Sequence, residues 1–430
     1  MKRKMLFCER LMYVDGKTSV NCVIAAKIRG YIDAENLQTA LEKVQAKHPL
    51  LLANVVEEDG LPYFAFSANP PKVPVRIVER YGDDDWQKVT AEEWKIPFNM
   101  CRDPLIRFVW IKSEDVSELL LIGHHCACDG GSLIAIFREI LQLTDRPDMP
   151  LTPYPPFESL RDLLPEEVFS DTKTRLKAKV KATLFRLFAY TVKTAKTRPK
   201  SEHYLIYWRG SPEESAALTN RCKEEGTTPY AALCVAFMLA FQQVSGAKFK
   251  NKLICPVNIR RFVKKIGDDM IFNYAPTIAL ALDKDSQEDF WSQAKKFKQS
   301  ISEKVERLNV YEELMGAEQL HSSLPKLISL LLKSNGTYDF AFSNVGRLNI
   351  QENYQTFRIE NFLGTTVAVP WRNATTLVTT HFRGQTDVAF VSNEGFLPYA
   401  EAIAIKEKAI GLLLDAVDTQ VPMESGVAVY

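Results

Sequence analysis

The sequence predicts an α/β (α+β) protein built from two domains. Three observations carry that expectation. Short apolar and alternating runs of strand type recur along the chain, interleaved with longer segments whose apolar positions have helical spacing. The 430 residues exceed what a single core usually organises. Prolines 147, 150, 153, 155, 156 and 165 crowd into one stretch and mark an irregular connection. The boundaries that follow are an N-terminal unit at 1–165, a basic linker or helix at 166–200 and a C-terminal unit at 201–430.

Residues 19–29 alternate like a strand, and Gly30 leads into YIDAENLQTALEKVQAKH, where Asp33 caps a helix with Leu37, Leu41 and Val44 on its buried stripe. The run Leu119-Leu120-Leu121-Ile122 forms a strand that delivers His124 and His125 to its end. A glycine pair then turns the chain into the helical LIAIFREIL. Residues 172–200 hold ten Lys and Arg and no acid, with Leu176, Val180, Leu184, Leu187 and Phe188 on one helical face.

In the second half HYLIYWR is strand-like, and Thr228-Pro229 starts a long, mostly buried helix in GTTPYAALCVAFMLAFQQV. A strand KLICPVNIRR follows. Helices at about 287–308 and 312–333 precede the strand TYDFAFSNVGRL. TLVTTHFRGQTDVAFVSNEGF is a hairpin joined at Arg383-Gly384-Gln385, and a helix at about 399–417 closes the domain.

Composition excludes some function classes. A net charge of +1 gives no general affinity for nucleic acid. Eight cysteines sit mostly inside apolar runs, the usage of a reducing compartment. The N-terminal apolar run is broken by Glu9 and Arg10, too early for a signal peptide, and no stretch approaches 18 uninterrupted apolar residues. The expectation is a soluble, cytoplasmic protein.

The chemistry concentrates at His124-His125-Cys126-Ala127-Cys128-Asp129-Gly130. A histidine between a rigid strand and a tight turn suits a general base near neutral pH. Zinc would favour this donor set. Adjacent strand residues point to opposite faces, however, so the donors cannot converge on one ion. The same geometry weakens a Cys126–His125 nucleophile pair and makes Cys126 and Cys128 small buried apolar residues. A purely structural histidine pair is the remaining alternative. His48 is expected to cap a helix end, and His381 to lie on a solvent face of the hairpin.

The pattern HHxxxDG resembles the signature of the CoA-dependent acyltransferase superfamily, which includes chloramphenicol acetyltransferase, alcohol acetyltransferases, plant BAHD acyltransferases and peptide-synthetase condensation domains. GYIDAENLQTALEKVQAKHPLLLANV, Pro97-Phe98 with Pro104-Leu105-Ile106-Arg107-Phe108, GTTPYAALCVAF and VNIRR with Phe272-Asn273-Tyr274 resemble further family segments in the same order. The likeness covers roughly 1–150 and 201–415. It implies two chloramphenicol-acetyltransferase-like subdomains, each a mixed sheet flanked by helices, with an active-site tunnel between them.

Residue by residue, the resemblance implies His125 as the base, with His124 and Gly130 completing the motif and Gly130 giving its backbone room. It makes Asp129 a structural carboxylate paired with an arginine, at the position of Arg260, and Ser343 and Asn344 in DFAFSNVG oxyanion donors. That string departs from the plant DFGWG and points to the alcohol acetyltransferase and condensation-like branches. The implied reaction moves an acyl group from acyl-CoA, or from acyl-phosphopantetheine on an acyl carrier protein, to an alcohol or amine, without metal or resident cofactor. A stand-alone condensation domain and a non-catalytic binding relative are the rival readings. For 172–200 three roles compete: a solvated linker helix, a membrane-surface helix serving a lipophilic acceptor, and contact with donor phosphates.

Overall fold

The structure is a computed structural model that describes residues 1–191, 201–283 and 287–417. The N-terminal half runs β1 (Lys2–Lys4), α1 (Phe7–Tyr13), β2 (Asn21–Gly30), α2 (Ala34–Lys47), β3 (Ala53–Glu58) and β4 (Leu61–Phe66). It continues through β5 (Val75–Glu79), α3 (Asp85–Lys95), β6 (Ile106–Lys112), β7 (Val116–His124) and α4 (Gly130–Asp145). The connection holds α5 (Leu160–Leu163), α6 (Glu166–Ser170) and α7 (Thr172–Thr191). The C-terminal half opens with β8 (His203–Arg209), α8 (Pro212–Glu224), α9 (Pro229–Ser245), β9 (Leu253–Pro256) and β10 (Thr277–Leu280). Helices α10 (Phe290–Glu306), α11 (Val310–Glu318) and α12 (Leu324–Lys333) follow. The chain ends in β11 (Phe340–Arg347), β12 (Phe357–Ala368), β13 (Thr376–Phe382), β14 (Gln385–Asn393) and α13 (Tyr399–Val417).

Each half has its own mixed sheet. The N-terminal one is ordered β12-β2-β7-β6-β5, antiparallel except for the β5–β6 pair; the C-terminal one is β10-β9-β11-β13-β14-β8, with β11 parallel to both β9 and β13. Strand β7 lies between β2 and β6, and Leu119 through Ile122 are fully buried, so its continuous apolar run reflects a strand covered on both faces. Helices α2 and α4 pack together in the core that covers this sheet. Asp33 caps α2 by accepting from the Asn36 amide, as its position predicts. Helix α9 is the core helix of the other half, with Thr228 capping it and Pro229 at its first position. The hairpin turn has Arg383 and Gly384 both at positive φ, 50° and 78°, as a two-residue turn of type I′ requires.

Some expectations need correcting. Strand β12 belongs to the C-terminal segment, yet it pairs with β2 of the N-terminal sheet, so residues 201–430 do not build one self-contained unit. The helix expected over 312–333 is two helices: α11 ends at Glu318, a 3₁₀ turn follows at His321–Ser323, and α12 starts at Leu324 with Pro325 in its first turn. His48 occupies the C-cap position of α2 as expected, and its ring is fully buried and bonds Glu139 of α4 at 2.9 Å. His381 is half-buried, 3.2 Å from the Thr386 hydroxyl, not on a solvent face. Of the apolar stripe on α7, the side chain of Phe188 lies outside the described residues, as do positions 192–200 of the basic segment.

Candidate functional site

Strand β7 ends at His124, and His125 opens the turn that follows it. The His124 amide bonds the Leu105 carbonyl at 2.9 Å, and the His125 amide bonds Val20 at 2.8 Å, so both backbones are fixed by neighbouring segments. His124 points inward, 1% exposed, against the edge of Phe98 at 5.8 Å, and its Nδ1 accepts from the Cys126 amide. Burial, with the nearby charges of His125 and Arg107, pushes its pKa down to about 3, so this ring is neutral.

His125 is half-buried. Its Nδ1 is 3.0 Å from the carbonyl oxygen of Cys128. A carbonyl only accepts, so Nδ1 carries the proton and Nε2 keeps its lone pair. That tautomer is the one a general base needs. Burial lowers the pKa of His125; the Cys128 carbonyl and the Asp129 charge act against that shift. The His125 carbonyl in turn accepts a hydrogen bond from the side-chain Nδ2 of Asn273. Cys126 and Cys128 are fully buried, and desolvation raises both thiols far from the thiolate form a nucleophile requires.

Asp129 ends the turn and caps α4, accepting from the Ser132 amide at 2.7 Å. Its two oxygens meet the Arg260 guanidinium at 3.0 and 3.1 Å, a bidentate pair with Arg260 only 6% exposed. Burial opposes ionisation of Asp129, but the Arg260 charge and the hydrogen bonds outweigh it and hold the carboxyl below the usual carboxylate range. Arg260 also reaches the Ser132 hydroxyl at 2.9 Å and the Met270 carbonyl at 3.1 Å. Ser132 accepts from the Phe272 amide at 3.1 Å and donates to Asp129 at 2.8 Å. The motif turn of one half is thus bolted to residues 260–273 of the other. Ser132 and Asn273 were not singled out by the sequence, although Asn273 sits in a segment whose likeness was noted.

At Gly130 a Cβ would find its nearest neighbour, on Thr365, at 3.8 Å. At Gly131 a Cβ would lie 3.1 Å from Arg260 Nη1, so a side chain there would push on the ion pair. Ser343 and Asn344 lie on β11, the first half-buried and the second exposed, and Val345 after them packs into the N-terminal core. Among the described residues no hydrogen bond joins either to His125. Strand β12 brings Thr365 beside Gly130; its buried hydroxyl has no hydrogen-bond partner among the described residues. Two cavities are described. One lies by His48, Tyr154 and Met270, the other between β8, α8 and α13, and His125 lines neither.

A two-lobed α/β architecture with a strand-end histidine and a carboxylate–arginine bolt across the halves defines the class of CoA-acyltransferase-like folds. Within it, the chain belongs to the condensation-domain family, whose profile matches residues 1–332. Surfactin synthase subunit 2 of Bacillus subtilis is 24% identical over 295 residues, 66% of this chain and 8% of that protein. The chain spans 1% to 8% of the length of curated relatives such as this one and cyclosporin synthetase of Tolypocladium inflatum. Among solved structures, the first condensation domain of the CDA synthetase superposes with a TM-score of 0.73 at 14% identity, covering 100% of this chain and 99% of that one. The trichothecene 15-O-acetyltransferase TRI3 of Fusarium sporotrichioides gives 0.71 at 14% identity, with 97% and 95% covered. At these identities the structural likeness speaks to fold alone.

Proposed function

We propose that the protein transfers an acyl group from a phosphopantetheine thioester to an alcohol or amine, with His125 as general base. The observation that carries this is the Nδ1–H bond to Cys128, which leaves Nε2 free to accept a proton. The acceptor's O–H or N–H gives its proton to Nε2 as the oxygen or nitrogen attacks the thioester carbonyl. The tetrahedral intermediate collapses, the C–S bond breaks, and the imidazolium returns the proton to the departing thiolate. Asp129, Arg260, Ser132 and Asn273 hold the base in place without touching the reacting atoms. Ser343 or Asn344 would steady the oxyanion from β11, a contribution of about 3 kcal/mol for one well-placed donor. This chemistry calls for no metal or resident cofactor.

CoA and an acyl carrier protein present the same pantetheine thiol, and the peptide-synthetase relatives favour a carrier-bound donor. The test offers the purified protein a panel of acyl-CoAs and acyl-carrier proteins, with and without alcohols and amines, and follows free thiol. Acceptor-dependent thiol release from either donor supports the reading. Release from neither, across the panel, would make the chain a binding relative of the fold.

The same assay checks a pH dependence. The base works only when neutral, so the rate falls as pH drops through the pKa of His125. Burial places that pKa below the ordinary histidine value of 6.5. The acid limb of kcat/KM is therefore expected below about pH 6.5. A limb centred above pH 7 would rule His125 out as the titrating base.

A further inference from the structure

The acyl-transfer site makes no use of α7. Its body side is built from small residues: Ala178 and Ala182 are each 2% exposed, and Ala178 comes within 3.8 Å of where a Cβ on Gly316 of α11 would stand. Arg186 adds a hydrogen bond to the Gln319 carbonyl, and Asp171 accepts from the amides of Lys173 and Thr174 at the helix start. These contacts fix which way the helix faces. The outward side then carries Leu176, Val180, Leu184 and Leu187, exposed by 61%, 49%, 61% and 61%. The other exposed large hydrophobics among the described residues, Met1, Tyr31, Ile77, Tyr81 and Ile96, lie on no helix, so α7 is the one helix carrying such a row. At 1.5 Å per residue it is about 16 Å long.

Charge says what would cover it. At 100° per residue, Lys177 and Lys179 flank the row on either side and Lys173 extends it by a turn, all exposed. Residues 172–200 contain ten cations and no acid; with 54 basic and 53 acidic residues in the chain, the remainder stands at −9. We propose that α7 is a docking surface for an anionic lipid bilayer. The aliphatic row enters the boundary between headgroups and acyl chains, and the flanking lysines reach back to the lipid phosphates. An acidic protein surface would answer the charge. A convex row of four aliphatic side chains suits an acyl layer that conforms to it. The inference stands apart from the catalytic reading.

Full-length protein sedimented with phosphatidylcholine vesicles, with and without phosphatidylglycerol, tests it. Binding is expected only with the anionic vesicles and is weakened by salt. The double variant Val180→Glu/Leu184→Glu is expected to lose roughly tenfold or more of that binding. Lys177→Ala and Lys179→Ala should each lose about fivefold. All these side chains are exposed, so an unchanged unfolding temperature checks that the fold is retained. Protein left in the supernatant with anionic vesicles at low salt overturns the proposal. So does undiminished binding by the double variant, or equal binding to neutral vesicles. If the wild type ignores vesicles and the double variant instead loses transfer from a carrier-bound donor, the partner is a carrier protein and not a bilayer.

Discussion

His125→Ala is expected to reduce acyl transfer at saturating substrate by about 10²–10⁴-fold while leaving thermal unfolding nearly unchanged. The first half of that expectation rests on Nε2, the one ring nitrogen the turn leaves as an acceptor. The second rests on what the backbone does without the ring. The His125 amide still bonds Val20, its carbonyl still accepts from Asn273, and Asp129 still caps α4. The deleted ring is only half-buried and gives up one side-chain hydrogen bond, to Cys128. Rate and stability therefore separate at this position. Steady-state transfer together with a melting curve decides it: a variant with wild-type turnover would remove His125 from the reaction.

The parts of the site that were legible in the sequence are those encoded by short local patterns. A long apolar run ending in two histidines places a ring at a strand end, whereas the capping of α4 by Asp129 emerges only in the structure. Arg260 was legible only through the likeness of VNIRR to a family segment; nothing local says that an arginine 131 residues away from Asp129 will meet it. Ser132 escaped because a serine in the first turn of a helix is ordinary. Its role comes from lying where Arg260, Asp129 and the Phe272 amide converge. That a side chain at Gly131 would press on the ion pair is revealed only by the position of the guanidinium.

At the level of the fold, the alternation of elements was readable, but the sheet each strand joins was not. Strand β12 is not among the elements the sequence pattern predicts, and it crosses to pair with β2 through bulges near Asn361 and Thr365. Pairing partners are a matter of tertiary contact, which a strand pattern does not carry. Helix α7 shows the converse. Its periodicity gave the apolar row correctly, yet the side turned to the body is the one with Ala178 and Ala182, because small residues allow the closer approach.

Asp129 and Arg260 are expected to behave as one unit in a double-mutant cycle. Asp129→Asn leaves a guanidinium that is almost fully buried without its counter-charge, and Arg260→Met leaves a buried carboxylate. Breaking such a pair from either side typically costs about 3–5 kcal/mol. Removing both charges together leaves neither stranded, so the double variant should lose much less than the sum of the two singles. The pH dependence has a definite sign. The folded-state pKa of Asp129 is depressed, so its contribution is present above the unfolded carboxylate value of about 3.9 and fades as pH falls through the lower folded value. The coupling should therefore be at full strength at neutral pH and decline only in strong acid. Transfer rate should fall in both singles as well, because the pair holds the turn whose Cys128 carbonyl sets the tautomer of His125. Denaturant unfolding of the four proteins at pH 7 measures the coupling: strictly additive losses would mean that the two side chains, though in contact, do not support one another.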